Sequence, residues 1–301
     1  MKNVAILCRS IGRRCGVGEA ALYLASHLGV EAVASPSDLP DVAKIVIVEL
    51  EHSLYNFNRE EALAEFRSLQ EEGRKVIVNY HSVPLGNESW VEDLKECATV
   101  GGRIVPAVEG TFYLPLVGPP PLTEADPGAP DHLHLGSFGF CGPHKRYDLL
   151  IELAIRLDVP LTLFAANNGP WENILNDLRN MAAGHDSIQV VGDYLPIDEV
   201  LRRLRGCSHL ISTVQEYSGI SLGPQSGSSA SFRAMASVGR PFICLRHWRA
   251  DEVDAIQVDS LDEITVDWLK AQTKLPSYDN GLHYYYELID QIRGIAPADS
   301  H

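Results

Sequence analysis

The chain has 301 residues, of which 45% are hydrophobic and 22% are charged, a composition typical of a globular protein with a hydrophobic core. The formal net charge of −15 argues against nucleic acid as a main partner, because affinity for a phosphate backbone needs a basic surface. There is no apolar run of about 18 residues and no signal-peptide pattern, so the sequence predicts a cytoplasmic protein without a membrane span.

Short apolar runs alternate with amphipathic helical patterns along the chain. The runs are continuous, which is typical of parallel strands that helices cover on both faces. Helical spacing of apolar residues is found in segments 21–28 and 150–157. Together these patterns predict an α/β fold. Strands are predicted over Val4–Cys8, Ile45–Val48, Val76–Asn79, Leu133–Phe138, Leu161–Ala165, Ile188–Val191, His209–Ser212 and Pro241–Leu245.

A segment rich in proline and glycine, residues 118–131, interrupts this alternation. Its five prolines and two glycines cannot continue a helix or a central strand. The sequence therefore predicts an N-terminal domain (1–118), a linker (119–131), a C-terminal domain (132–278) and a tail (279–301). In the tail, helical spacing of Leu282, Tyr285, Tyr286 and Ile289 predicts a last helix that packs against a domain.

The turn after the first predicted strand contains the string GRRCGVG. Its glycines, among them Gly16 and Gly18, allow tight backbone turns, and the N-terminus of the following helix favours anions. The string does not match the GxGxxG pattern of dinucleotide-binding domains. A turn that only packs a strand against a helix is the alternative.

Three polar residues follow predicted strands of the N-terminal domain. Glu51 and His52 follow the second strand, and His81 follows the third. In open α/β sheets, ligands bind beyond the carboxyl ends of the strands. An imidazole at that place could donate to a substrate hydroxyl or act as an acid or base. Alternatively, His81 is a hydrogen-bonded structural residue.

In the C-terminal domain, the glycine-rich string SFGFCGPHKR ends in Lys145 and Arg146 at the start of a predicted helix. Cations beside the amides of a helix end are suited to binding a diphosphate. The alternative is that both side chains are solvated surface cations.

A second loop of the C-terminal domain contains small residues before the helix ASFRAMASVG: Ser226, Gly227, Ser228 and Ser229. Their backbone N–H groups and hydroxyls could surround a phosphate. Glu216 follows a predicted strand, where a carboxylate could bind sugar hydroxyls. A serine- and glycine-rich loop without a ligand is the alternative.

Five segments, in order, resemble the retaining glycosyltransferases of the GT-B fold, in particular the large family-4 type. They are CGVGEAALYLASHL, IVIVELEHSLYNF, VIVNYHSVP, GSFGFCGPHKRYDLLIELA and SGSSASFRAMASVGRPFI. The resemblance implies two Rossmann-like domains that face each other across a cleft, with a C-terminal helix that crosses back to the first domain. It also implies that the donor binds in the C-terminal domain and the acceptor in the N-terminal domain.

The resemblance assigns a role to each candidate residue. His81, Glu216 and Lys145 are the expected catalytic residues, and Glu51, His52 and His81 are expected on the acceptor side. The residues expected to bind the nucleoside-diphosphate-sugar donor are Gly16, Gly18, Lys145, Arg146, Gly192, Tyr194, Ser226, Gly227, Ser228 and Ser229. Gly192 and Tyr194 lie in the string VVGDYLP, which looks like the loop that lines the nucleobase.

The expected activity is transfer of a hexose-type sugar from this donor to an acceptor hydroxyl, with retention of configuration. No DxD string occurs, so the transfer is expected to need neither a metal nor a cofactor. The sequence departs from the family at two positions, since Pro224 and Arg233 stand where a second glutamate is expected. The alternatives are a nucleotide-sugar epimerase and a non-catalytic protein that binds nucleotide sugars.

Overall fold

The computed structural model describes residues 1–13, 15–56, 58–81, 88–102, 110–115, 117–119, 128, 130–167, 171–214, 230–245, 253–277 and 281–294. The chain divides into two compact units. The first unit comprises Met1–Pro120, Ser221–Ser226 and Asn280–His301, and the second comprises Pro121–Ile220 and Gly227–Asp279.

Strands and helices alternate along both units. The strands are β1 (Val4–Leu7), β2 (Glu31–Val33), β3 (Ile45–Leu50), β4 (Lys75–Tyr80), β5 (Thr99–Gly102), β6 (Phe112–Tyr113), β7 (Leu135–Phe140), β8 (Leu161–Ala166), β9 (Ile188–Val191), β10 (His209–Ser212), β11 (Phe242–Leu245) and β12 (Ile256–Val258). The α-helices are α1 (Gly16–Leu28), α2 (Arg59–Glu71), α3 (Glu88–Lys95), α4 (Tyr147–Leu157), α5 (Glu172–Ala182), α6 (Ile197–Leu204), α7 (Ala230–Ala236), α8 (Val266–Ala271) and α9 (Leu282–Arg293). Short 3₁₀ helices cover Pro36–Asp38, His52–Tyr55, Pro143–Lys145 and Leu261–Glu263.

The first unit contains a parallel sheet in the order β2-β1-β3-β4-β5-β6. Strand order reverses between β1 and β3, so the switch point of this sheet lies there. Residues of β3 and β4 are almost all buried, as expected of central strands with helices on both faces.

The second unit contains a parallel sheet in the order β12-β11-β10-β7-β8-β9. Counted from β7, this is the order 3-2-1-4-5-6 of the Rossmann fold. Its switch point lies between β7 and β10. Each unit has its own hydrophobic core, so each meets the physical definition of a domain.

Local capping sets several helix ends. The Asn58 side chain accepts a hydrogen bond from the backbone N–H of Glu61 and so begins α2. At the end of α1, Gly29 adopts a left-handed conformation with φ of 62° and donates back to the last turn. Single residues in the local sequence, Asn58 and Gly29, therefore determine where α2 begins and where α1 ends.

Helix α9 belongs to the first unit, although it follows the second unit in the chain. Tyr285, Leu288 and Ile289 are its buried residues. The predicted inward position of Tyr286 is wrong, because this side chain is 38% exposed. Leu288 is buried in its place.

The predicted strands are found, with ends that differ by up to two residues. The first strand of the second unit begins at Leu135 instead of Leu133, and β3 continues to Leu50. Among the helices that the structure describes, none is both long and apolar enough to span a membrane.

Candidate functional site

In the second unit, two side-chain hydrogen bonds connect the segments on either side of the switch point. Ser137 on β7 donates a hydrogen bond of 2.7 Å to the backbone oxygen of Ile211 on β10. Thr213, which follows β10, donates one of 2.6 Å to the backbone oxygen of Lys145. All of these groups are buried. The backbone of Lys145 is therefore fixed at the place where ligands bind in sheets of this order.

Lys145 is a buried cation. Its side chain is only 5% exposed, and its Nζ donates a hydrogen bond of 3.1 Å to Oγ of Ser231 at the start of α7. Burial lowers the pKa of Lys145 to about 8, because desolvation disfavours the charged amine. The alternative of a solvated surface cation therefore does not hold for Lys145.

The strand β7 leaves space for this amine at Gly139, which has a φ of 155°. A Cβ atom at this glycine would lie 2.7 Å from the hydroxyl of Tyr147 and 3.3 Å from Nζ of Lys145. The Tyr147 hydroxyl is itself buried, with no hydrogen-bond partner in the described part of the chain. Burial raises the pKa of Tyr147. Thus the Lys145 amine and the Tyr147 hydroxyl, which has no partner among the described residues, both lie near Gly139.

Arg146 differs from Lys145 in its surroundings. It adopts a left-handed conformation with φ of 45° between the 3₁₀ helix Pro143–Lys145 and α4. Its guanidinium donates to both carboxylate oxygens of Asp148, at distances from 2.8 to 3.1 Å. This ion pair raises the pKa of Arg146 further, chiefly through the hydrogen bonds. Binding of the nucleotide-sugar donor by Arg146, as predicted, would therefore have to compete with the ion pair between Arg146 and Asp148.

The two residues predicted to line the nucleobase follow β9. The ring of Tyr194 stacks on Phe140, at the end of β7, with centroids 6.1 Å apart and planes 16° from parallel. At Gly192, a Cβ atom would lie 2.5 Å from Leu175 and 2.7 Å from Arg179 on α5. The glycine is therefore required for packing, and its contact with a nucleobase stays a prediction.

Arg233 stands on α7 where the family resemblance leads one to expect a glutamate. Its side chain is only 1% exposed and is the largest fully buried side chain among the described residues. The second unit thus buries a guanidinium as well as the amine of Lys145.

In the first unit, both predicted glycines begin α1. A Cβ atom at Gly18 would lie only 2.6 Å from the backbone oxygen of Ser10, which follows β1. This close approach gives Gly18 a role in packing α1 against the end of β1, which is the alternative to donor binding for this turn. Contact of Gly16 and Gly18 with a donor stays a prediction.

The acceptor-side candidates lie at the carboxyl ends of β3 and β4. Glu51 directly follows β3, and His52 begins a 3₁₀ helix, with its side chain outside the described part. His81 directly follows β4, and its Nε2 forms a short hydrogen bond with Oε2 of Glu49 on β3. The structure therefore brings His81 together with a carboxylate that the sequence did not single out.

Five predicted site residues lie outside the described residues: Glu216, Ser226, Gly227, Ser228 and Ser229. Among the residues that the structure does describe, no group of three or more His, Cys, Asp or Glu side chains could hold a metal ion.

Sequence reasoning did not single out Glu49, Ser231 or Tyr147. A signal exists for Glu49, because a charged residue stands in the otherwise apolar run IVIVEL, and a buried charge needs a partner. Nothing in the local sequence marks Ser231 as a partner of Lys145 or Tyr147 as a neighbour of Gly139, since these positions depend on how α7 and α4 pack on the sheet.

Comparisons with known proteins give fold similarity at low sequence identity. No protein-family model and no curated protein matches the chain. The structure of HepE from Anabaena in complex with UDP and glucose is similar over 97% of this chain and 100% of that chain, with a TM-score of 0.62 and 9% identity. An α-glucosyltransferase in complex with UDP and a 13-mer DNA gives a TM-score of 0.60 at 11% identity, over 96% of this chain and 95% of that chain.

A third similar structure is AviGT4, a glycosyltransferase involved in avilamycin A biosynthesis. It gives a TM-score of 0.57 at 12% identity and covers 98% of this chain and 99% of that chain. All three are GT-B glycosyltransferases. The chain, with its two parallel-sheet Rossmann-like units, has the GT-B fold.

Proposed function

We propose that the protein transfers a hexose-type sugar from a nucleoside-diphosphate sugar to an acceptor hydroxyl, with retention of configuration. The observation that carries the proposal is the buried amine of Lys145 at the switch point of a Rossmann-type sheet. An ammonium at this depth is poorly solvated, so a diphosphate that reaches it gains a strong electrostatic interaction.

The chemistry that this arrangement supports is mainly electrostatic. Breaking the bond between sugar and diphosphate places negative charge on the leaving group. Lys145, supported by Ser231, would stabilise that charge while the acceptor hydroxyl attacks from the same face. Tyr147 would add a hydroxyl donor that has no competing partner among the described residues.

UDP is the first nucleotide to test. HepE has been crystallised with UDP and with UDP-glucose, and the α-glucosyltransferase with UDP. In our protein, the stacked rings of Phe140 and Tyr194 offer an apolar surface on the same edge of the sheet for a nucleobase.

Thermal shift with UDP, followed by UDP release from UDP-glucose, tests the proposal. UDP at 100 times its Kd should stabilise the wild-type protein by about 2.7 kcal/mol. Lys145→Ala should remove most of this effect, whereas Lys270→Ala, at an exposed position of α8, should keep it. The proposal fails if a panel of nucleoside diphosphates and their sugars stabilises neither the wild-type protein nor the control.

A non-catalytic protein that binds nucleotide sugars is the second candidate, and the buried Arg233 favours it. A cation in place of a carboxylate alters the hydrogen bonds available to sugar hydroxyls, since a guanidinium only donates. Binding that depends on Lys145, with no UDP release for any acceptor offered, would support this candidate. Release of an isomerised sugar without an acceptor would instead indicate an epimerase.

A further inference from the structure

A chain of buried polar side chains connects helix α9 to His81 within the first unit. Glu49 on β3 and Asn79 on β4 are direct partners in the register of the two strands. Both are 2% exposed, as is Tyr285 on α9. His81 follows β4 directly, and its backbone N–H continues the ladder to the oxygen of Leu50.

The donor and the acceptor of each hydrogen bond in this series follow from one backbone oxygen. The oxygen of Pro115 can only accept, so the Tyr285 hydroxyl donates to it over 2.9 Å. That hydroxyl can then accept from Nδ2 of Asn79 over 2.7 Å. The same amide nitrogen donates its other hydrogen to Oε2 of Glu49 over 2.9 Å.

Oε2 of Glu49 is also the atom that contacts Nε2 of His81. An ionised carboxylate has only acceptor sites, so Nε2 must carry the hydrogen that this bond needs. In a neutral imidazole the proton then resides on Nε2, and Nδ1 keeps its lone pair. No residue in the described part of the chain bonds to Nδ1.

The other carboxylate oxygen of Glu49 carries a cost in stability. Oε1 is buried and has no hydrogen-bond partner among the described residues. A buried acceptor without a partner is destabilising, and a buried charge more so. Such costs are concentrated at functional sites, where the surrounding structure maintains them.

We propose that Glu49 is a positioning residue for His81. It holds the imidazole through Nε2–H and so presents Nδ1 as the hydrogen-bond acceptor for the attacking hydroxyl. Asn79 and Tyr285 hold the carboxylate in turn, so helix α9 contributes to the orientation of the ring. The role of Nδ1 rests on the proposed function, whereas the protonation pattern of the ring does not.

Nitrogen NMR of the ligand-free protein, labelled with ¹⁵N in its histidines, tests the protonation pattern. The His81 signals are assigned by their loss in His81→Gln. In the wild-type protein with a neutral imidazole, we expect Nε2 to be protonated and Nδ1 unprotonated. Glu49→Gln should bring the two nitrogens towards averaged shifts, because an amide can either donate to Nε2 or accept from it.

Two further variants complete the experiment. Glu31→Gln neutralises an exposed carboxylate on β2 and should leave the His81 signals unchanged. Glu49→Asp keeps the charge but withdraws it from the ring by one methylene, so it should also weaken the preference for protonated Nε2. A wild-type ring protonated at Nδ1, or signals that neither Glu49 variant changes, would overturn the proposal.

Turnover gives the functional readout. Glu49→Gln should lower kcat for UDP release from UDP-glucose by up to about 100-fold, the cost of a misplaced group, with little change in KM or in the Kd for UDP. A structural role would instead lower Tm and kcat together and would raise KM and the Kd for UDP. If the wild-type protein does not turn over nucleotide sugars, the proposed function fails, while the NMR result still decides the positioning of His81.

Discussion

Lys145 holds its charge where the surroundings disfavour charge, and this makes ligand binding dependent on pH. Its pKa of about 8 in the ligand-free protein means that the amine loses its proton as the pH rises through that value. A diphosphate interacts with the ammonium form, so its affinity should fall over the same range.

We therefore expect the Kd for UDP to rise about tenfold from pH 7 to pH 9, measured by isothermal titration calorimetry. Lys145→Arg is the control, because a guanidinium stays protonated over this range. The Kd of Lys145→Arg for UDP should depend less on pH than that of the wild-type protein. Any proton that UDP itself loses affects both proteins equally. Identical profiles for the two proteins would contradict a role of Lys145 in binding the diphosphate.

The same burial also affects stability. The folded-state pKa of Lys145 lies below the ordinary value of 10.5, so the unfolded chain binds more protons between about pH 8 and 10.5. The unfolding free energy should therefore rise with pH across this window, and the full penalty, about 3 kcal/mol, should apply below pH 8.

Lys145→Met removes this penalty and should raise the unfolding free energy at pH 7 by up to about 3 kcal/mol, while UDP binding is lost. Urea unfolding without ligand measures the first effect. Lys270→Met, at an exposed position of α8, should change stability by less than about 0.5 kcal/mol. Destabilisation by Lys145→Met would mean that the amine is part of the structural core.

At the residue scale, the sequence predicted Lys145 and His81 but not their surroundings. A lysine after a glycine-rich strand end and a histidine after an apolar strand are local patterns, so both could be proposed as site residues from the sequence. Glu49 is 32 residues from its partner His81, and Ser231 is 86 residues from its partner Lys145. Tyr285 is 206 residues from its partner Asn79. Contacts over such separations depend on strand order and helix packing, which local patterns do not determine.

At the scale of elements, the apolar runs predicted the central strands well. The strands that were not predicted are short or lie towards a sheet edge: β2, β5, β6 and β12. Strand β5 has the sequence TVGG, in which two glycines lower the strand propensity. A Cβ atom at Gly101 would lie 2.5 Å from Leu114. Gly101 is therefore needed for packing against Leu114, although it lowers the strand propensity of β5.

Helix α9 should be essential for the stability of the first unit. It buries Tyr285, Leu288 and Ile289, and Lys75 donates a hydrogen bond of 2.6 Å to the backbone oxygen of Ile292. Burial of each large side chain contributes about 1.5 to 3 kcal/mol. Loss of Tyr285 would also leave Asn79 without one of its acceptors.

We expect truncation after residue 279 to lower Tm strongly or to make the protein aggregate, as measured by scanning calorimetry and light scattering. Truncation after Gly294 keeps the whole of α9 and is the matched control. Equal stability of the two truncated proteins would show that the packing of α9 contributes little.

For the whole molecule, 40 acidic residues against 25 basic ones favour repulsion of polyanions. The buried cations do not offset this repulsion, because nucleic acids bind to basic surfaces. We expect no shift of duplex DNA in gel electrophoresis at about 150 mM salt. A complex that weakens steeply as salt rises would show a basic surface that net charge does not reveal.

The placement of α9 in the first unit has a consequence for the order of folding. During synthesis, β1 to β6 leave the ribosome long before the helix that completes their core. The sequence of the second unit, in contrast, is fully made before α9 appears. We therefore infer that the second unit matures first, while Asn79 and its apolar neighbours await Tyr285 and are exposed to chaperones.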